Sequence, residues 1–499
     1  MNVAIPMNKA GGAPRSSCLP RATRFKRTFS PAAIASVAAV LGAIGALALI
    51  LAPTSSPILI LAFVILPLIS WSVVTRNITT AFVFTTIGEM YSANNGAWLS
   101  IGPLSIRWIL IFTTIAVNLT IRIWILRPVA HKIIVGRSSH AIAVLFFGAF
   151  FPIVLYAIAM IGTNNTSTAA FQSLGFMLVL LFYFPLRHAL QANPQQLVAF
   201  LIGLSISLAL FMLSMSIGPI AVRQQIIAIV FPDTSFGDTI TGITRAMPAC
   251  IVLMFFPVLV SIFEMTRANG IFRKVAFAAA ALFFMLPMTV TFLTGTLIAV
   301  LFMLLVSGCL LVVRPMSRRY GMRIIAGTFV LAVTLFSAAT VLTPDLLESK
   351  LFSRTGMLSS GMGEQDARRV SEWLVFNQDL ETHFWLGNGA GATMSVDESG
   401  PESGHTVEMA GLMTFHLFGL LGCGAYLIGF VAFALHPLRL LRQRKSFDSA
   451  VVVALAFWAT ACTIVGAGMI NPYLTTPYPA LFVGLYLVWD ERVLARSNG

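Results

Sequence analysis

Charge is what this chain has least of. Asp, Glu, Lys and Arg make up only 10% of its 499 residues, against about 25% in an ordinary soluble domain. Acidic residues are the scarcer sign, 18 against 32 basic ones. A chain that is 58% hydrophobic with so thin a polar coat cannot cover itself in water, so the composition excludes a soluble globular protein and points to the bilayer as solvent. Cysteine is scarce too. Cys18, Cys250, Cys309, Cys423 and Cys462 are scattered and never form a CxxC pair, which argues against a zinc site or a disulfide framework. There is no GxxxxGK[ST], no GxSxG and no HExxH, so an ATP-driven pump has no support.

What is abundant is apolar sequence in long runs. They recur near 31–52, 57–75, 78–93, 101–126, 139–162, 172–186, 195–218, 246–265, 272–291, 297–314, 324–343, 408–436, 449–470 and 476–491. At about 20 residues per crossing they predict an all-α, polytopic membrane bundle of about 12–14 helices. The run at 78–93 is the weakest, since it contains Glu89. Arg21, Arg24, Lys26 and Arg27 precede the first run, as in a signal peptide, but the run is long enough to span and more follow, which favours an uncleaved first helix.

Charge orients the bundle. With the N-terminus cytoplasmic, Arg76, Arg127, Lys132, Arg137, Arg267, Arg273, Lys274, Arg318, Arg319, Arg439 and Arg442 all fall in inner connections. Apart from the two longest outer segments, 219–245 and 344–407, the outer connections hold no Lys or Arg. This is the positive-inside pattern, and it assigns the net charge of +14 to cytoplasmic loops rather than to nucleic-acid binding. The chain divides into a basic tail at 1–30, helices with an external loop at 219–245 across 31–343, a long external loop at 344–407 that carries short helices, and closing helices at 408–499.

Polar chemistry belongs in 344–407. A short helix is predicted over 368–380, with Asp366 as its cap and Val370, Trp373, Leu374 and Asn377 on one face. Arg223, Arg245, Arg354 and Arg369 stand on the outer side, where positive charge is otherwise avoided. Arginine's planar fork grips phosphate oxygens in a bidentate way; a single arginine at this depth also snorkels or pairs with a loop carboxylate. His405 precedes the helix at 408–436 and suits a general base near neutral pH, with an interfacial structural histidine as the plainer interpretation. Glu408 suits that helix's N-terminal dipole. His416 lies deeper in the helix, where a structural role is expected. Glu372, Asp397, Glu398 and Glu402 are irregularly spaced with no interleaved histidine, as in a solvated acidic loop rather than a metal site. Glu89, Arg107, Arg122 and Glu264 lie toward helix ends, unlike the midplane charges of a carrier.

The order of these pieces resembles the superfamily of O-antigen ligases and polysaccharide polymerases. The pieces are Arg369-Val-Ser-Glu-Trp373, then Phe384-Trp-Leu-Gly387-Asn-Gly389-Ala-Gly391, then His405, then Gly419-Leu-Leu-Gly422. That family's late external loop reads R-x-x-x-W, then PLLGxGxG, then H-N before a helix carrying GxxG. This chain departs from it at Phe384 and Thr406, in the longer step from His405 to Gly419, and at Thr294-Gly295-Thr296, where an arginine is missing. The resemblance implies a metal-independent, inverting glycosyl transfer that uses no cofactor. Its donor is an undecaprenyl-diphosphate-linked oligosaccharide at the outer face of a bacterial inner membrane. His405 would be the base and Arg369 the principal phosphate ligand, with Arg223, Arg245, Arg354 and Arg368 as further diphosphate contacts. The acceptor is another lipid-linked unit in a polymerase for exopolysaccharide or surface polysaccharide, and a lipid A core or a protein in a ligase. Implied partners are membrane lipid, a chain-length regulator and other polysaccharide export proteins. A flippase or secondary transporter of the same glycans is the alternative of another class.

Overall fold

In the computed structural model, residues 30–51, 57–92, 100–101, 104–125, 139–160, 175, 177–189, 194–217, 239–240, 243–244, 249–290, 294–315, 317–342, 364–389, 391–392, 410–443, 447–468 and 476–495 are described. Apart from two antiparallel pairings of two residues each, at 100–105 and 239–244, their regular structure is helical. The helices in chain order are α1 (Pro31–Leu51), α2 (57–75), α3 (Ile78–Met90), α4 (Ile106–Ile125), α5 (139–160), α6 (177–189), α7 (Pro194–Ile217) and α8 (Phe255–Arg267). They continue with α9 (Ile271–Val290), α10 (Thr294–Val312), α11 (Arg318–Leu342), α12 (Glu364–Thr382), α13 (Ala410–Gln443), α14 (Ser449–Gly468) and α15 (Tyr478–Ala495).

Helices are what this composition dictates. In hydrocarbon every backbone N–H and C=O must be satisfied within the chain, and an α-helix does that segment by segment. Among the described residues eight helices are long and apolar enough to cross a membrane: α1, α2, α5, α7, α13, α14, α9 and the stretch Cys250–Arg267 that ends in α8. Ile78–Met90, Ile106–Ile121 and Ile298–Val312 are shorter apolar helices. The protein is therefore a multi-pass helical membrane protein.

Burial orders the bundle. The apolar window of α14 is 89% buried and that of Cys250–Arg267 83%, against 22% for α1 and α2. α8, α14 and α15 thus form the centre, while α1, α2 and α9 present apolar side chains outward. Small residues set the closest contacts. A Cβ at Gly203 of α7 would lie 2.3 Å from the carbonyl oxygen of Ala35 in α1. The α2–α3 hairpin turns in two residues. Arg76 adopts φ 52° and closes α2, and Asn77 Oδ1 accepts from Thr79 N at 3.0 Å and Thr80 N at 3.4 Å, capping α3.

The helix predicted over 368–380 exists but begins earlier, at Glu364. Asp366 is therefore in its first turn rather than at its cap. Of the residues expected on one face, Trp373, Leu374 and Asn377 are all exposed, while Asp379 is buried and Val375 and Phe376 are half-buried. The reason is the way α12 is anchored to α13.

Candidate functional site

α13 is a broken helix. At Gly419 the backbone takes φ 59° and ψ −165°, a region essentially reserved for glycine. An unbroken helix would join Leu420 N–H to His416 C=O and Leu421 N–H to Leu417 C=O. The break frees two acceptors and two donors, and the glycine segment takes up all four. Asn388 N–H donates to His416 O at 2.7 Å and Gly389 N–H to Leu417 O at 3.1 Å. In return Phe384 O accepts from Leu420 N–H at 2.8 Å and Trp385 O from Leu421 N–H at 3.2 Å. In an apolar setting each orphan would cost several kcal/mol, on the order of 2–7, so break and loop specify each other.

The two backbones cross at a pair of glycines. Gly387 has φ 68°, and a Cβ there would sit 2.6 Å from Gly419 N, Phe418 N and the Leu417 carbonyl carbon. A Cβ at Gly419 would meet Gly387 N and the Trp385 carbonyl carbon at 2.5 Å. These neighbours are all backbone, so nothing can rotate away.

Side chains lock the crossing. Asp379, near the end of α12, places Oδ2 2.6 Å from His416 Nδ1. Asn388 Nδ2 donates to Asp379 Oδ1 at 2.7 Å and to His416 O at 3.3 Å. With Nδ1–H given to the carboxylate, the 3.1 Å approach of Asn388 Nδ2 to His416 Nδ1 is a close contact rather than a hydrogen bond. Asp379 and His416 are each 5% exposed, beside an apolar cluster of Tyr156, Met177, Ala392, Met413, Leu417 and Phe418. His416 Nε2 is buried and has no hydrogen-bond partner among the described residues. In this conformation the pair holds the junction and does not meet solvent. Sequence reading gave His416 a structural role and missed Asp379 and Asn388. The signals were there: an asparagine between two glycines, and a histidine three residues before Gly419.

A second polar cluster lies in the bundle itself. Arg107 Nε donates to Glu89 Oε2 at 2.9 Å, Nη1 to Tyr478 Oη at 3.3 Å, and Nη2 to Ser92 Oγ at 3.1 Å and to Glu89 O at 3.5 Å. The Arg107 side chain is 2% exposed and that of Glu89 not at all. Eleven residues from the start of α3, Glu89 is about 16 Å along its axis. Both charges lie at helix ends, as expected, Glu89 next to last in α3 and Arg107 second in α4, and both are enclosed by protein. A further buried group joins His436 Nδ1 to Tyr486 Oη at 2.7 Å, with Asp490 Oδ2 3.5 Å from His436 Nε2.

Arg223, Arg245, Arg354 and His405 lie outside the described residues. So do Glu408 and the acidic cluster at 397–402. Arg368 and Arg369 lie on α12, where only the backbone is described; Arg369 is about 15 Å along the axis from Asp379. The junction therefore ties the helix carrying Arg368 and Arg369 to the helix that follows His405. No family model and no curated protein matches this sequence.

Proposed function

We propose that the protein is a polysaccharide polymerase that joins undecaprenyl-diphosphate-linked oligosaccharide units at the outer face of a bacterial inner membrane. The observation that carries this is the α12–α13 junction. It supports a proposed site with Arg368 and Arg369 on one side and His405 on the other, because it ties the helix that carries the arginines to the helix that follows the histidine. In the proposed topology the eight membrane-length helices, the three shorter apolar ones and α6, α11 and α15 give about fourteen crossings. Both termini are then cytoplasmic, and 219–245 and 344–407 are external.

In the proposed reaction a hydroxyl oxygen of the acceptor attacks the sugar carbon bonded to the diphosphate. The new C–O bond forms as the old one breaks, with inversion. The diphosphate leaves with the bonding electron pair, and His405 takes the hydroxyl proton. Arg369 holds the leaving diphosphate with Arg368, Arg223, Arg245 or Arg354 and stabilises its charge. The carrier's lipid tail remains in the bilayer while the sugar reaches the loop. No step requires a metal or a cofactor. The same chemistry with a lipid A core or a protein hydroxyl as acceptor would make the protein a ligase.

The reading as a carrier of lipid-linked glycans has an observation of its own, the charged pair inside the helices. That pair is closed: Glu89, Ser92 and Tyr478 engage Arg107. It suits a fixed strut better than a site that must bind and release.

His405→Ala is expected to lower polymer output in cells about 100-fold or more at unchanged protein level, the usual loss for a general base. Arg369→Lys keeps the charge but not the fork, and is expected to slow transfer while the protein still folds. Full output from His405→Ala would refute its role as base. Full output from Arg369→Lys would remove the bidentate phosphate contact.

A further inference from the structure

Within the segment 373–386, Trp373, Leu374, Leu380, Trp385 and Leu386 are large apolar side chains left exposed. Its rings form a chain. Trp373 lies 5.1 Å from Phe376, Phe376 lies 5.0 Å from Phe415 of α13, Phe415 lies 6.2 Å from Phe384, and Phe384 lies 5.0 Å from Trp385, centroid to centroid. The two ends of the chain are open: Trp373 is 51% and Trp385 60% exposed. Leu374 and Leu386 are exposed beside them. Exposed indoles and leucines linked in one aromatic chain mark a contact.

Its position indicates with what. Trp385 O accepts from Leu421 N–H, so the tryptophan is level with Leu420 and Leu421. Those two begin an exposed stripe that continues through Leu427, Ile428, Val431 and Leu435. The spacing of that stripe keeps it on one face of α13. The stretch Gly411–Gln443 has a mean hydropathy of 2.1, so its exposed face is the one that meets lipid tails. The aromatic chain is therefore the upward continuation of a lipid-facing surface. Indole rings favour the level where that surface passes from tails to headgroups.

We propose that the 373–386 segment is an interfacial element, embedded in the headgroup layer of the bilayer, and that its occupant is phospholipid. α12 carries Glu364, Asp366, Glu372, Asp379 and Glu381 against Arg368 and Arg369. Apolar contact therefore drives the embedding, and zwitterionic lipid suffices. This inference is independent of the transferase reading and would stand if that failed.

The test uses the full chain in phosphatidylcholine nanodiscs, with acyl chains either plain or brominated at carbons 6 and 7. Emission of the Trp373→Phe, Trp385→Phe double variant is subtracted from that of the wild type, leaving the light from these two indoles. A face embedded about 5–10 Å into the boundary puts them beside the bromines, so more than half of that difference emission is expected to be lost in brominated discs. Leu374→Trp adds an indole to the same exposed surface, and its added emission is expected to be quenched likewise. Equal difference emission in both discs would overturn the proposal. So would emission unchanged by bromine but altered by soluble oligosaccharide or by dilution, which would assign the face to a glycan or to a second copy.

Discussion

Gly387→Val is expected to unseat the loop from the broken helix and to destabilise the protein by about 3–5 kcal/mol. Two costs add. The first is steric: the new Cβ would sit 2.6 Å from three backbone atoms of residues 417–419, and forcing such contacts apart costs about 1–3 kcal/mol or more. The second is conformational: φ 68° is left-handed backbone, and holding a β-branched residue there costs about 1–3 kcal/mol. Separation of the two segments would then expose the four backbone groups that the crossing satisfies. The readout is thermal unfolding of purified protein in detergent, with hydrogen exchange at Leu420 and Leu421 as the local probe. Gly424 is the control, since it lies in the same helix and a Cβ there would meet nothing within 4 Å. Gly424→Ala is expected to leave stability unchanged or to raise it by less than about 1 kcal/mol. A Gly387→Val protein that melts with the wild type and protects both amides would show that the crossing does not hold the loop.

Arg107→Met is expected to cost a similar amount, about 3–5 kcal/mol, because it leaves the Glu89 carboxylate buried without its cation. The pair joins α3 to α4, and Tyr478 extends it to α15, so the damage should be felt in the whole bundle and not at one loop. The double variant Glu89→Met, Arg107→Met removes both charges. Replacing a closed buried pair with apolar side chains of similar volume is often neutral or stabilising, so the double variant is expected to recover most of the loss. It also separates two functional readings. As a strut, the pair can be replaced and glycan transfer persists. A double variant that folds normally yet loses glycan handling would place the pair in a transport path.

The sequence made the helices legible because their cause is local. A run of about 20 apolar residues has few options in a bilayer, and helices occur in all of the expected runs. Even the helix at Glu364–Thr382 was visible in its periodicity. Its orientation was not, because what turns it is distant in sequence. Asp379 meets His416 across 37 positions, and Asn388 meets it across 28. No window of residues contains that pairing. The break in α13 was hidden for a related reason. Gly419-Leu-Leu-Gly422 reads as an ordinary small-residue motif within an apolar helix, and only the segment 384–389 supplies the groups that make a break affordable. Glu89 and Arg107 were legible as helix-end charges, but their pairing and burial were not, because they meet across 18 positions. Arg368 and Arg369 are placed on α12, whereas Arg223, Arg245, Arg354 and His405, chosen for their chemistry, are expectations that mutagenesis must decide.

The central claim is glycosyl transfer from a lipid diphosphate. The measurement that meets it head-on uses purified protein in nanodiscs, with a lipid-diphosphate-linked oligosaccharide as the only substrate and products resolved on a gel beside a His405→Ala control. The expected result is a ladder of longer glycans on the carrier, absent from the control. No transfer to the lipid-linked unit, to a lipid A core or to a protein acceptor would contradict the claim and return the chain to the carrier reading.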